Sequence, residues 1–145
     1  MLLHPILIIP AKPITPVIIS DPTDLVNGQS VKFTCTSRAN PRPQLRFLLG
    51  GAAAPASNST PPTTSDEGLL KQGSQVWDTV LTEEDNGKEL KCEVVDHLYT
   101  QEEVSKTITL DVFCKYTAWV GLYLKITVVQ ANPKYWPSVR FVVGI

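Results

Sequence analysis

At 145 residues, with 13 basic and 14 acidic side chains and a net charge of -1, the chain lacks the positive excess that attracts nucleic acid or an anionic membrane. The length suits one domain of about 100 residues with extensions, and a hydrophobic content of 43% is enough for a core. Twelve prolines against eight glycines favour strands, turns and linkers over long helices.

Met1 to Ile9 is apolar, but Pro5 interrupts it. No Lys or Arg precedes the apolar run and no small-residue cleavage site follows, so it does not read as an export signal. Ile6 to Ile19 mixes branched aliphatics with Pro10, Pro13 and Pro16. Proline bars helix and pushes the preceding residue to extended backbone, so a linker feeding an edge strand is expected. Asp21-Pro22-Thr23-Asp24 and Val26-Asn27-Gly28-Gln29 are turn signals. They precede Val31-Lys32-Phe33-Thr34-Cys35, where Val31, Phe33 and Cys35 alternate with polar neighbours as in a half-buried strand.

Ser37 to Pro43 reads as a loop, and Gln44 to Leu49 as the next strand, with Leu45, Phe47 and Leu49 on one face. Gly50 to Gly68 is rich in Ala, Pro, Ser and Thr, and is expected to be a mobile surface connection. Gln75 to Thr82 is a strand whose register periodicity leaves open. Either Trp77, Thr79 and Leu81 or Val76, Asp78 and Val80 face the core. Asp85-Asn86-Gly87 is a turn before a strand from Lys88 to Val95, and Val104 to Val112 is the last strand, with Ile108, Leu110 and Val112 inward. Short alternating strands separated by turns indicate an all-β sandwich.

Of three cysteines, Cys35 and Cys92 occupy matching strand contexts, whereas Cys114 stands beyond the last strand and is the odd one. Three reduced, buried cysteines in a cytosolic protein is the alternative. Asn58-Ser59-Thr60, a glycosylation sequon in a polar loop, favours an oxidising, extracellular setting.

Residues for catalysis are not assembled. His97 follows Cys92 and His4 lies in the lead-in, neither at the paired spacing of a zinc site. Glu83-Glu84-Asp85 lacks the alternating oxygen ligands of a calcium loop and reads as a solvated turn. No serine occupies a strand-to-helix glycine elbow. Cys114 beside Lys115 is a stray thiol without a base, and Gly50-Gly51 is too isolated to cradle phosphate. The expectation is a protein that is not an enzyme and needs no cofactor.

From about Pro13 to Val112 the chain resembles an immunoglobulin domain. Cys35 and Cys92 match the two cysteines that bridge the sheets, and the resemblance implies that they form a disulfide. Phe47, twelve positions after Cys35, stands where the family usually has tryptophan. Asp85-Asn86-Gly87 followed by Leu90 and Cys92 resembles the family's Asp-x-Gly-x-x-Tyr-x-Cys corner, with leucine replacing the tyrosine whose hydroxyl ties the corner down. Trp77, if inward, refills volume missing at Phe47. Lys12-Pro13-Ile14, Pro41-x-Pro43, Asp85-Asn86-Gly87-Lys88-x-Leu90-x-Cys92-Glu93-Val94 and Thr107-Ile108-Thr109-Leu110-Asp111-Val112 resemble a constant-type, non-first domain of nectin-like and nephrin-like adhesion proteins.

The expected organisation is therefore a proline-rich lead-in or interdomain linker (1–12), an immunoglobulin-like two-sheet antiparallel sandwich (13–112) and an atypical C-terminal extension (113–145). The extension reads as a truncated isoform or read-through. The competing reading is an added hairpin with strands at Leu122 to Val129 and Val139 to Val143. Its longest uninterrupted apolar run, Tyr116 to Leu124, is about half the roughly 20 residues that a spanning helix needs. The resemblance implies cell adhesion or recognition by homophilic or heterophilic protein contact, as one piece of a larger, membrane-anchored receptor. The alternatives are a small secreted ligand or decoy and a non-functional receptor fragment. The candidate binding face comprises Gln44, Arg46, Leu48, Lys91 and Glu93, with Thr107 and Thr109 beside them on the same sheet surface.

Overall fold

Proline placement decides how the chain enters the fold. The computed structural model describes residues 9–55, 68–95, 98, 102–120, 124–131 and 139–143, with side chains through residue 115. Asn58, His4, His97 and the Asn132-Pro133 segment lie outside the described residues. Between its prolines the lead-in still offers hydrogen-bonding groups to the end of the Cys35 strand, β3 (Ser30–Ala39). Ala11 and Asn40 exchange two backbone hydrogen bonds (2.8 and 3.1 Å), and Ile14 N donates to Arg38 O at 3.0 Å. Ser37 Oγ donates to Ile14 O and Asn40 Nδ2 to Ile9 O, both at 2.6 Å. Pro13 and Pro16 are buried. The lead-in is thus docked along β3 from Ile9 onward. It then becomes the edge strand β1 (Val17–Asp21), antiparallel to β3 from Val17↔Thr36 to Asp21↔Lys32.

The second turn signal follows β2 (Leu25–Val26) and leads into β3, which buries Val31, Phe33, Cys35, Ser37 and Ala39 while Lys32 stays exposed. After β4 (Gln44–Leu49), Gly50 and Gly51 at φ +56° and +85° form a two-residue hairpin turn to β5 (Ala52–Ala53). Both positions require the left-handed region that glycine reaches without penalty. The connection expected from Gly50 onward therefore opens with a tight turn and a short strand.

β6 (Lys71–Val80) pairs with β3 over its whole length, from Ser30↔Val80 to Ala39↔Lys71. It begins at Lys71 rather than Gln75, because polar Lys71 and Gln72 are held by the ladder and not by apolar alternation. Gly73 within it meets Pro43 closely, and a Cβ there would lie 2.1 Å from Pro43 O. Gly73→Ala is accordingly expected to destabilise the fold by about 1–3 kcal/mol in denaturant titration, the range for forced overpacking.

β1, β3 and β6 form a three-stranded sheet, and β5, β4, β7 (Glu89–Val95) and β8 (Ser105–Thr109) a four-stranded one, all antiparallel. The core between them holds Phe33, Cys35, Leu45, Phe47, Trp77, Leu81, Leu90, Cys92, Leu110 and Val112. The open register is settled: Trp77 and Leu81 join the core cluster. Val76, its neighbour on the other side of the strand, is also buried but stands outside that cluster. Trp77 stacks on Phe33 (centroids 5.6 Å apart, planes at 21°) and lies tilted against Phe47 (6.3 Å, 41°). Cys35 of β3 and Cys92 of β7 are disulfide-bonded, joining one sheet to the other.

The last strand expected over Val104 to Val112 is divided. β8 ends at Thr109, and β9 (Val112–Val120) begins after the crossover at Leu110 and Asp111. β9 pairs in parallel with β2 at Leu25↔Val112 and Val26↔Phe113, and antiparallel with β10 (Leu124–Ala131), which pairs with β11 (Val139–Val143). The described residues of the extension therefore lie in strands, β10 and β11 falling near Leu122 to Val129 and Val139 to Val143, and β9 starts inside the sandwich at Val112. Cys114 correspondingly lies within β9, free and buried, not beyond the last strand.

Candidate recognition face

Period-2 alternation sends Leu45 and Phe47 to the core and Gln44, Arg46 and Leu48 to the other side of β4. Lys91 and Glu93 stand beside them on β7, because the register pairs Arg46 with Glu93 and Leu48 with Lys91. On β8, Thr107 pairs with Lys91 and Ser105 with Glu93. The sheet thus brings all five sequence-selected residues and both threonines onto one surface.

Their exposure is uneven. Gln44, Arg46, Thr107 and Thr109 are exposed and Leu48 and Lys91 half-buried, but Glu93 is only 7% accessible. Glu93 is therefore not an open contact residue. Its carboxylate accepts from Arg46 Nε and is 3.4 Å from Lys91 Nζ, so two cations hold it down against the sheet. A buried carboxylate needs such partners, since removing one would leave an uncompensated charge.

Lys91 also pairs with Glu103, whose carboxylate accepts from Ser105 Oγ at 3.0 Å. The Lys91 ammonium, then Ser105, hold the Glu103 carboxyl below its usual range. Reciprocally, Glu103 raises the Lys91 ammonium above its usual value against the opposing effect of desolvation. Lys12 Nζ lies 2.6 Å from Glu102 Oε2, joining the lead-in to the approach of β8 and lowering the Glu102 carboxyl. These pairs escaped the sequence reading because Glu102 and Glu103 precede the alternating segment. Glu103 lies beyond the ladder, in which Lys91 pairs with Thr107, and meets Lys91 through side-chain reach.

The opposite corner lacks the tyrosine hydroxyl and is fastened differently. Asn86 Oδ1 accepts from Val112 N at 2.8 Å, and Gly87 N donates to Leu110 O at 2.8 Å. Glu83–Asp85 form a 3-10 turn, with Asp85 accepting from Thr82 N at 2.9 Å, from Thr82 Oγ1 at 3.2 Å and from Lys88 Nζ at 2.8 Å. Burial alone pushes the Asp85 carboxyl up, but Lys88 and Thr82 together outweigh it and hold the carboxyl below its usual range. A depressed carboxyl stabilises the fold above its unfolded pKa, and this contribution is lost as pH falls through the lower, folded value. Asp85→Asn is thus expected to flatten part of the acid limb of the stability–pH profile, read by thermal melts across acidic buffers. An unchanged acid limb refutes that role for Asp85.

Three antiparallel strands facing four, bridged by a disulfide between β3 and β7, define an immunoglobulin-type sandwich. The chain belongs to the CD80-like C2-set immunoglobulin domain family, whose sequence profile matches residues 17–103. Among solved structures, the full ectodomain (Ig1-Ig3) of mouse nectin-like molecule 4 is similar, with a TM-score of 0.60 at 16% identity. The similarity covers 83% of this chain and 43% of that ectodomain, so the chain spans less than half its length. At this identity the likeness is one of fold. No curated protein matches the sequence.

Proposed function

We propose that this chain is an extracellular recognition module that works by protein–protein contact, as one domain of a larger cell-surface adhesion receptor. The observation that carries the reading is membership of the C2-set immunoglobulin domain family across residues 17–103. An intersheet disulfide fits an oxidising compartment, and the likeness to a nectin-like ectodomain supports the adhesion setting. We assign contact to the outer surface of β4, β7 and β8, with Gln44, Arg46, Leu48 and Lys91 touching the partner and Glu93 holding the two cations in place. Asn58 is the proposed glycan carrier. The same proposal divides the chain into lead-in (1–12), sandwich (13–112) and extension (113–145). Docking of Ile9 and Ala11 on Asn40 at the end of β3, and a strand that starts at Val112, argue that the sandwich grips both neighbours.

The test is adhesion of chain-coated beads to one another and to a panel of cells, comparing parent with a Gln44→Ala/Leu48→Ala variant. These substitutions leave the Glu93 ion pairs intact. Adhesion is expected to fall several-fold at an unchanged melting temperature. Undiminished adhesion would assign this surface a spacing role and refute direct contact through it.

A further inference from the structure

The sandwich contains two Asn-Gly turns that match in backbone and differ in the asparagine side chain. Val26-Asn27-Gly28-Gln29 closes with Gln29 N donating to Val26 O at 3.0 Å, and Asp85-Asn86-Gly87-Lys88 with Lys88 N donating to Asp85 O at 3.1 Å. Gly28 and Gly87 have the same φ, +78°. Each glycine amide is tied to the neighbouring strand connection, Gly28 N to Leu81 O at 2.9 Å and Gly87 N to Leu110 O at 2.8 Å. Asn86 is partly buried, and its Oδ1 accepts from Val112 N. Asn27 is exposed, as are Gly28, Gln29 and Ser30, and among the described residues its side-chain amide has no hydrogen-bond partner.

We infer that Asn27 is a site of spontaneous deamidation and isoaspartate formation in the folded protein, and that Asn86 is protected. The Gly28 backbone nitrogen gives up its proton to hydroxide and attacks Asn27 Cγ. A C–N bond forms to close a succinimide, the bond from Cγ to the side-chain nitrogen breaks, and that nitrogen leaves as ammonia. Water then opens the imide at one of its two carbonyls, giving aspartate or isoaspartate with no change of oxidation state. Attack requires the asparagine Cγ to swing toward the glycine nitrogen and that nitrogen to release its hydrogen bond. The second requirement applies equally to both turns. The first is met at Asn27 by an unrestrained side chain, whereas at Asn86 the bond to Val112 N must also break.

Modification at Asn27 has a structural consequence, because Asn27 N donates to Phe113 O at 2.8 Å beside the two-residue pairing of β2 with β9. Isoaspartate inserts a methylene into the main chain at that residue and loosens the contact.

Peptide mapping of the folded, disulfide-bonded protein during incubation in mildly alkaline buffer at body temperature tests the inference, with isoaspartate counted at each asparagine. Asn27 is expected to convert about fivefold faster than Asn86 or more, the factor that one net hydrogen bond represents. In the reduced, denatured chain the two rates should converge. Asn27→Gln, whose longer side chain closes the ring reluctantly, should abolish the signal at that position without lowering the melting temperature. Conversion of Asn86 as fast as Asn27 in the folded protein overturns the inference. So does an inert Asn27 over a period in which the denatured chain converts at both positions.

Discussion

Replacing Cys35 and Cys92 together by alanine is expected to lower the unfolding free energy by about 4 kcal/mol. The bridge closes a loop with a sequence separation of 57 residues. The chain-entropy estimate for a loop of that length is ~4 kcal/mol, arising from restriction of the unfolded chain. Small domains have only about 5–15 kcal/mol in total, so the loss is a large part of what keeps this sandwich folded. Urea titration should show a lower midpoint. The melting temperature should fall by about 15–30 °C, on the scaling for a domain of about 100 residues. Both cysteines are fully buried and linked to opposite sheets, so the loss also removes packing at the centre of the core. A double variant as stable as the parent would mean that apolar packing alone joins the sheets.

That both cysteines turn inward was legible because each sits in a strand with clear alternation, and their pairing was what the immunoglobulin resemblance implied. Val31, Phe33 and Cys35 alternate with polar residues in β3, and Leu90 and Cys92 do so in β7. Where alternation weakens, the sequence was silent. The first residues of β6, Lys71 and Gln72, are held by pairing with Ala39 and Arg38, a long-range register that local pattern does not encode. The lead-in feeds an edge strand as expected, but its docking left no local signal. Its prolines signal extended chain correctly, yet the backbone groups of Ile9, Ala11 and Ile14 between them, as donors and acceptors, are what dock it. Beyond Val112 the sequence offered no familiar turn, and the parallel pairing of β9 with a two-residue strand left no periodic trace.

The candidate face was legible in membership and not in depth. Period-2 logic places Arg46 and Glu93 on the outer side, but it treats all outward residues as equally exposed. The register sets the two opposite one another, and Lys91 closes over Glu93 from the same strand. A carboxylate at an outward position becomes a buried anchor once cations flank it, and that depends on side-chain reach across strands. The corner shows the same limit. Loss of the tyrosine hydroxyl at Leu90 was visible, but its replacement by Asn86 and Asp85 depends on where Val112 and Lys88 come to lie.

Trp77→Ala is expected to cost about 3–5 kcal/mol, the range for removing a large aromatic from a core. Phe47 takes the position where related domains carry tryptophan, leaving less aromatic volume against the Cys35–Cys92 bridge. Trp77 supplies it from the opposite sheet: it is 4% exposed, stacked on Phe33 and tilted against Phe47. Two aromatics in contact across the sandwich should not behave independently. Phe47→Leu and Trp77→Phe are thus expected to show a coupling of about 0.5–3 kcal/mol in a double-mutant cycle, as contacting residues do. The same reasoning makes Phe47→Trp alone unfavourable, by about 1–3 kcal/mol, because the volume it would fill is already taken. If Trp77→Ala proves as stable as the parent, or Phe47→Trp stabilises the fold, then Trp77 does not replace the missing indole. Additive effects of Phe47→Leu and Trp77→Phe would likewise show that the two rings pack separately. The compensation predicts all three results together, so each measurement constrains it independently of how the bridge itself behaves.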